Sequence, residues 1–544
     1  MIVIWAVAIA AVLIAAAQIL AFRQAAMGRE AIARVEARWA ARAGVEEMIA
    51  ILEYHTETPT PDDARQLFKD LTLAATGDLG SGSWEVSHVE DGVRFLGPQD
   101  EHAKININTV TRLTLLELAN MSPDVADAIV DWRDGDDNAG MMGAEYEFYE
   151  GRNLGYQPRN ASFRSVAELE LVAGAFPRFV RGEDQNLNGQ LDPNENDGAL
   201  SDPPDDADGL LDAGWSAVLS ARLAGSKIAA SGIEKLDLKT ASPEEMMSRF
   251  GVTAEQAAAL SQFAKGPNAR LEQLLTQDLG SLAPQNQGNR GGASGGSGLG
   301  TQGTGTAGGG RRGGDRGGDR GGSGGVNTGG AGPGGGPGGG NGGGNGGGRS
   351  NGGGNPSGRP TRITPSISSI EWTDGAPQFE LASMQSGTRS SGSSQQSGRS
   401  SAGMGGGSGA NSRVQKLDML QMRRIFQEGI ISQGNAKPVG RINLNTVSPA
   451  VLRAMLPDDP ISADAIVSTR AASSTGLLAV SDLLESNRIS PQSLAAIAPY
   501  ADTQSYVFTI TSRGRSGSTG LEVEITAVVD RSELPARILE YREQ

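Results

Sequence analysis

Ile105-Asn106-Ile107-Asn108-Thr109 recurs as Leu236-Asp237-Leu238-Lys239-Thr240 and again as Ile442-Asn443-Leu444-Asn445-Thr446. In each copy two apolar residues alternate with polar ones, threonine closes the run, and a paired-helix pattern follows. Ser242-Pro243-Glu244-Glu245 has serine at the N-cap, proline at the first helical position and glutamate at the third, which is a capping box. Ser448-Pro449 repeats its first two elements, and Thr253 with Gln256 and Ser165 with Glu168 mark further helix starts. A closing apolar segment follows each pair, at Phe163 to Val172, Leu271 to Leu275 and Leu477 to Leu484. Three such units argue for internal duplication. A unit of this kind either grips nucleic-acid backbone or packs as a helical structural module.

The turns between the paired helices favour the second use. DNA-gripping helix-hairpin-helix modules place a Gly-apolar-Gly turn there, so that backbone N–H groups reach phosphate. The turns here read Asn120-Met121-Ser122-Pro123-Asp124, Phe250-Gly251-Val252-Thr253 and Leu456-Pro457-Asp458-Asp459-Pro460. None has the glycine pair, and two carry aspartate where phosphate would approach. Residues such as Leu115, Leu116, Leu118, Val125, Ala128 and Ile129 read as core at helical spacing. The 47 basic and 63 acidic residues give a net charge of −16, a poor footprint for a general phosphate binder.

There is no cysteine, which excludes disulfides, a thiol nucleophile and zinc-thiolate sites. His55, His88 and His102 lack metal-ligand spacing, and His102, beside Glu101, is expected in a solvated loop. No base, nucleophile and oxyanion donors converge in sequence, so no catalytic residue is assigned.

Met1 to Phe22 is apolar apart from Gln18, about the 20 residues that cross a bilayer core. From Arg23 to Leu52 the chain is free of proline and rich in Ala, Glu and Arg, so the helix is expected to continue. A span running into a long amphipathic helix is similar to the layout of type IV pilins and pseudopilins. Arg23, Arg29 and Arg34 follow the span and no basic residue precedes it. Taken alone, the positive-inside rule would leave the bulk of the chain in the cytoplasm. An upstream basic leader would reverse that orientation, and the first residue is expected to lie within or just after such a leader. No acidic residue precedes Glu30, whereas most pilin-like subunits carry a glutamate near the start of the span. A subunit without it suits a position that no further subunit sits above.

Gly80 to Gly97 reads as a hairpin turning at Asp91-Gly92, with Trp84, Val86 and His88 alternating with polar residues. Tyr506 to Thr511, Leu521 to Val529 and Arg537 to Tyr541 read as strands of the same small sheet. The expected class is α+β: a pilin-like long N-terminal helix and a small antiparallel sheet, with large inserted all-α (helix-hairpin-helix/SAM-like) domains. The expected boundaries are a transmembrane helix over 1–22, its continuation over 23–75 and sheet strands over 80–103. An inserted all-α domain follows over 104–284, a Gly-rich linker over 285–360 and an extended segment over 361–385. A Ser/Gly-rich linker over 386–412 leads to a second all-α domain over 413–502 and the closing strands over 503–544.

The chain has 78 glycines, many of them in the low-complexity stretch from Gly288 to Gly358. Its Arg311-Arg312-Gly313-Gly314-Asp315-Arg316 is similar to an RGG segment, but aspartates interrupt the arginines and no aromatic is interleaved. It is expected to act as a tether of about 45 Å r.m.s. span.

The sharpest local motif runs from Asp184 to Glu195, Asp184-Gln185-Asn186-Leu187-Asn188-Gly189-Gln190-Leu191-Asp192-Pro193-Asn194-Glu195. It fits the twelve-residue calcium loop at positions one, three, five, six, nine and twelve. Asp184, Asn186, Asn188 and Asp192 supply alternate oxygens and Gly189 permits the sharp turn. Gln190 would ligate through its carbonyl, and Glu195 would close the site with both oxygens. The expected cofactor is Ca2+. A second acidic run from Asp202 to Asp212 repeats the Asp-x-Asp-Gly-x-Leu-Asp core without the full spacing, which makes Asp206, Asp208 and Asp212 candidate ligands of a second site. Asp134-Gly135-Asp136-Asp137, after Trp132-Arg133, could add ligands, but a solvated loop is the expected reading there.

Taken in order, these motifs resemble a known family, the minor pseudopilin K of type II secretion systems (general secretion pathway protein K). Lys104 to Thr109, Ala128 to Asp134, Gly143-Ala144-Glu145, Tyr156 to Asn160 and Phe163-Arg164-Ser165 are similar to its first helical domain. Arg441 to Met455 resembles its second, and Val528-Val529-Asp530-Arg531 its closing strand region. The resemblance implies a structural, non-enzymatic subunit capping a periplasmic pseudopilus with minor pseudopilins of the I and J types. It implies a single inner-membrane span, the bulk of the chain in the periplasm, no nucleic-acid partner, and calcium in the inserted region. The repeat near Leu236 and the glycine-rich tether look additional to the family pattern. The competing readings are a membrane-anchored helix-hairpin-helix DNA-uptake protein and a calcium-dependent hydrolase.

Overall fold

The computed structural model describes residues 1–90, 92–200, 205–282, 414–432, 434 and 437–544. The expected linkers over 285–360 and 386–412, the segment 361–385, Asp91 of the hairpin turn and the start of the second acidic run at 202–204 lie outside these residues.

One helix runs unbroken over Ile2–Glu57. Its residues 1–32 are exposed, and the apolar stretch at their start is long enough to cross a membrane. From Ala33 it buries Ala33, Ala37, Ala40, Ala41, Gly44, Val45, Met48 and Leu52, a helical spacing of mostly small residues. The expected continuation over 23–75 stops at Glu57, because Pro59 and Pro61 cannot extend a helix. A separate helix, Gln66–Leu73, then folds back, and His55 Nε2 meets Asp70 Oδ2 at 2.8 Å.

The long helix lies on an antiparallel sheet ordered Thr76–Asp78, Gly82–Glu90, Val507–Ser516, Glu522–Asp530, Arg537–Glu543. Val93–Leu96 pairs with Gly82–Glu90 as the expected hairpin, and Gln99–Asp100 joins the central strand. The first and last parts of the sequence thus complete one sheet around everything between them. Alternation assigns the faces. Phe508, Ile510, Ile525, Ala527 and Val529 pack on the helix with Val45, Met48 and Leu52. Two glycines set the close approach. A Cβ on Gly44 would lie 2.6 Å from Trp84 Cδ1, and one on Gly514 would lie 2.8 Å from Ala41 Cα.

The three repeats fold alike at their openings. Ile105–Asn106 pairs in parallel with Leu219–Ser220, Leu236–Asp237 with Gly429–Ile430, and Ile442–Asn443 with Ala501–Asp502. The second residue of each phrase turns the chain by accepting the amide two residues on, at 3.0 Å for Asn106, 3.0 Å for Asp237 and 2.9 Å for Asn443. The third residue, Ile107, Leu238 or Leu444, is fully buried. The fourth differs. Asn108 exchanges hydrogen bonds with the backbone of Phe163, and Asn445 with that of Leu477, so each locks down its closing segment. Lys239 instead reaches Ser432 O at 2.6 Å.

The helix pairs are Arg112–Leu116 with Pro123–Arg133, Pro243–Phe250 with Ala254–Ala264, and Pro449–Met455 with Pro460–Ala472. The capping box expected at Ser242 is present, and the helix start expected at Thr253 forms a second one with Gln256. One continuous apolar core runs through all three repeats, from Ile105 to Ala501. The middle repeat reaches across sequence to helix Met419–Glu428, where Gln256 Nε2 donates to the carbonyls of Gln415 and Lys416.

Asp100-Glu101-His102 joins the sheet to the repeats. Asp100 accepts from Thr446 at 2.5 Å and Ser505 at 2.6 Å. Glu101 accepts from Ser220 at 2.5 Å and Thr509 at 2.6 Å. His102, expected in a solvated loop, is only 1% exposed, and its Nδ1 meets Arg441 O at 2.6 Å. Its partners lie hundreds of residues away in sequence, and they convert an apparent surface tripeptide into a buried junction.

Candidate calcium loop

The 184–195 loop follows the short helix Pro177–Val180 and is shaped by its own side chains. Asp184 accepts from the amides of Asn188 and Gly189, both at 3.0 Å. Asn186 Oδ1 accepts from Asn188 N at 2.9 Å, and Asn188 Oδ1 from Gln190 N at 2.7 Å. Gly189 takes φ of 69°, the left-handed turn expected at the sixth position. Asp192 caps the 3-10 turn Pro193–Glu195 in a capping box. Glu195 returns to the start of the loop, accepting from Gln185 N at 2.8 Å and Asp192 N at 3.0 Å.

The loop lies against the sheet face opposite the long helix. Val89 N donates to Gly189 O at 3.0 Å, Gln190 Nε2 to Ser87 O at 2.6 Å, and Thr511 Oγ1 to Asn188 O at 3.2 Å. Asn188 Nδ2 reaches Glu524 at 3.0 Å, and Asn186 Nδ2 reaches Gln544 at 3.3 Å. Arg513 approaches Asp192 at 3.5 Å. Sequence reading missed this docking. Its trace is the polar period of two at Thr509, Thr511 and Arg513, which on a helix-covered sheet reads equally as a solvated face.

Asp184, Asn188, Gln190 and Glu195 are all buried. Burial raises the pKa of Asp184, and it pushes Glu195 up to about 7, with Asp184 and Asp192 adding like charge. The donors are all oxygen, as calcium requires. Gln190 places its side chain on Ser87, which suits ligation through its carbonyl instead. Among the described residues, Asp184, Asp192 and Glu195 do not gather all three carboxylates within 4.8 Å of one another. Amide hydrogen bonds hold Asp184 and Glu195 in place, so the loop is shaped by its backbone.

The second acidic run is arranged differently. Asp206, Asp208 and Asp212 are exposed. Asp206 accepts from Asp208 N at 3.2 Å and Asp208 from Leu210 N at 2.9 Å, which are Asx turns. Glu183 brackets the run by accepting the amides of Asp206 and Asp212 at 3.2 and 3.1 Å.

The family model described as "Type II secretion system (T2SS), protein K" matches residues 96–182, which span the first repeat up to the 184–195 loop. Among solved structures, the chain is similar to one in "The Crystal Structure of the GspK-GspI-GspJ complex from enterotoxigenic Escherichia coli Type 2 Secretion System". The identity is 8% and the TM-score 0.39, over 95% of this chain and 99% of that one. No curated protein matches the chain. Residues 96–182, with their Asx turn, helix pair and closing segment in order, are thus similar to protein K of type II secretion systems.

Proposed function

We propose that the chain is a structural minor pseudopilin at the tip of a type II secretion pseudopilus, acting in protein export across the outer membrane. The observation that carries this is the protein K match over residues 96–182, inserted between strands of a sheet on which one long, apolar-headed helix lies. The helix is the single inner-membrane anchor and the remainder lies in the periplasm. Minor pseudopilins of the I and J types are its partners. Calcium occupies the Asp184 loop and fastens the inserted region to the sheet; in this role the ion has no catalytic part.

The DNA-uptake reading finds no support in the turns. At the third turn, Asp459 caps helix Pro460–Ala472 by accepting from Ser462 N, so a carboxylate stands where a phosphate would have to bind. The test is capture of the full-length protein from membranes after mild crosslinking, with fragmented DNA present. Salt-resistant recovery of small pilin-like proteins is the expected result. Salt-sensitive recovery of DNA without them would overturn the proposal.

A further inference from the structure

Arg531 directly follows strand Glu522–Asp530, and its side chain is buried. Its Nε donates to Ser505 O at 3.1 Å, and its Nη1 to Leu52 O at 3.3 Å and Thr56 Oγ1 at 3.2 Å. All three acceptors are neutral, and among the described residues Nη2 makes no hydrogen bond and no carboxylate forms an ion pair with the guanidinium. Asp100 acts on it only from a distance, and that carboxylate is already held by Thr446 and Ser505. Burial lowers the pKa of Arg531 to about 10, so it is charged at neutral pH. A buried charge whose partners are all neutral carries a large desolvation cost.

A cavity of about 80 Å³ lies beside this charge. Its other walls are the end of the long helix, the 59–64 loop, residues 226–230 and residues 503–506. Ser226 Oγ fixes one wall by donating to Ser532 O at 2.8 Å. Tyr506 Oη donates to Gln504 Oε1 at 2.7 Å, which leaves Gln504 Nε2 as a donor to spare. The acidic groups nearby already have partners: Asp70 meets His55 Nε2 and Asp63 meets Lys69 Nζ, both at 2.8 Å. Arg133 and Arg470 also bind carbonyls, but neither lines this cavity. An apolar cavity of about 150 Å³ takes benzene, so roughly half that room suits a single ion or a carboxylate no larger than acetate.

We propose that this cavity binds a small monovalent anion, a halide or a short carboxylate, on Arg531 Nη2 and Gln504 Nε2. A guanidinium N–H makes strong charge-assisted hydrogen bonds to either source. The anion neutralises the buried guanidinium. It also ties the end of the long helix to residues 226–230 and to the turn that leads into strand Arg537–Glu543. No residue of the 184–195 loop lines the cavity, so this site and the calcium assignment stand or fall separately.

Thermal denaturation of the full-length protein in detergent, with calcium held constant, tests this. Sodium acetate, formate and chloride are compared at constant ionic strength with gluconate, which is too large to enter. For the parent, a saturable rise in melting temperature of about 2 °C over gluconate is expected. The order of the salts identifies the source: acetate or formate ahead of chloride assigns a carboxylate, and chloride ahead of both assigns a halide. Arg531→Met is expected to lose the rise. Should it fold poorly, two variants that keep Arg531 make the same test. Gln504→Leu removes the second donor, and Ala229→Leu places bulk in the cavity wall. Each is expected to lose most of the rise. Equal melting temperatures in all four salts, or an undiminished rise in folded Gln504→Leu and Ala229→Leu, would overturn the proposal.

Discussion

Arg542 of the last strand donates from Nη1 to Asn186 O at 2.6 Å and from Nη2 to Leu187 O at 3.1 Å. The guanidinium therefore holds two consecutive carbonyls of the 184–195 loop and ties the last strand to the inserted region. Outer residues that orient a metal loop commonly change affinity by about 10- to 100-fold when removed. Arg542→Ala is expected to weaken calcium binding at this loop about tenfold, read by calorimetry. Arg542→Lys should restore little of it, since an ammonium cannot make the paired contact. Unchanged affinity in Arg542→Ala would disconnect strand from loop.

Replacing Asp184 and Glu195 together with alanine removes two buried carboxylates from the loop. The melting temperature of the full chain is expected to fall in calcium and to change little in chelator, because stabilisation by a ligand depends on its being bound. An equal fall under both conditions would assign the two carboxylates a purely structural role.

The contact between helix and sheet makes a separate prediction. Gly514 admits the long helix, since a Cβ there would come 2.8 Å from Ala41 Cα. Backbone on a packed helix cannot shift as a flexible side chain can. Gly514→Ala is expected to cost about 1–3 kcal/mol in chemical denaturation, as overpacking of a close contact does. Gly135→Ala, where a Cβ meets open space, serves as the neutral control.

Asp459 gives the acid limb of stability. Its carboxylate accepts from Ser462 Oγ at 2.6 Å, Ser493 Oγ at 2.7 Å and Ser462 N at 3.1 Å. The Ser462 and Ser493 hydroxyls hold its pKa down to about 2. A folded value below the unfolded one means that the unfolded chain binds the proton first as pH falls. The contribution is complete above about pH 4 and is lost as pH falls to about 2. Denaturation of Asp459→Asn against the parent should therefore show a difference that is constant above pH 4 and shrinks below it. A difference independent of pH would remove Asp459 from the acid response.

Much of this arrangement is legible because its causes are local. The Asx turns at Asn106, Asp237 and Asn443 depend on residues two apart, and the Ser242 and Thr253 boxes on residues three apart. What escaped was set by distant partners. His102 is buried by Arg441 and Tyr506, and Asn188 is bonded by Thr511 and Glu524, at separations over which no period in the sequence reports.

Arg470 shows how duplication can be tested from the side chains. It donates to Leu444 O at 2.9 Å and Val447 O at 2.6 Å, closing the third repeat's turn with the far end of its second helix. Arg133 does the same to Ile107 and Val110 in the first repeat, and each arginine lies 26 residues beyond the first carbonyl it binds. At the matching place in the middle repeat stands Ala264, which cannot make the bond. Burial lowers the pKa of Arg470 to about 10, still charged at neutral pH. Arg470→Met would keep much of the packing volume and leave two carbonyls without their donor. Leaving such groups unmet costs about 2 kcal/mol, and the loss should appear in chemical denaturation. Arg133→Met should behave alike, whereas Ala264→Ser, altering a repeat that never had the clamp, should not reproduce the effect. Equal stability of parent and Arg470→Met would show that water satisfies these carbonyls and that the shared arginine is a relic of duplication without energetic weight.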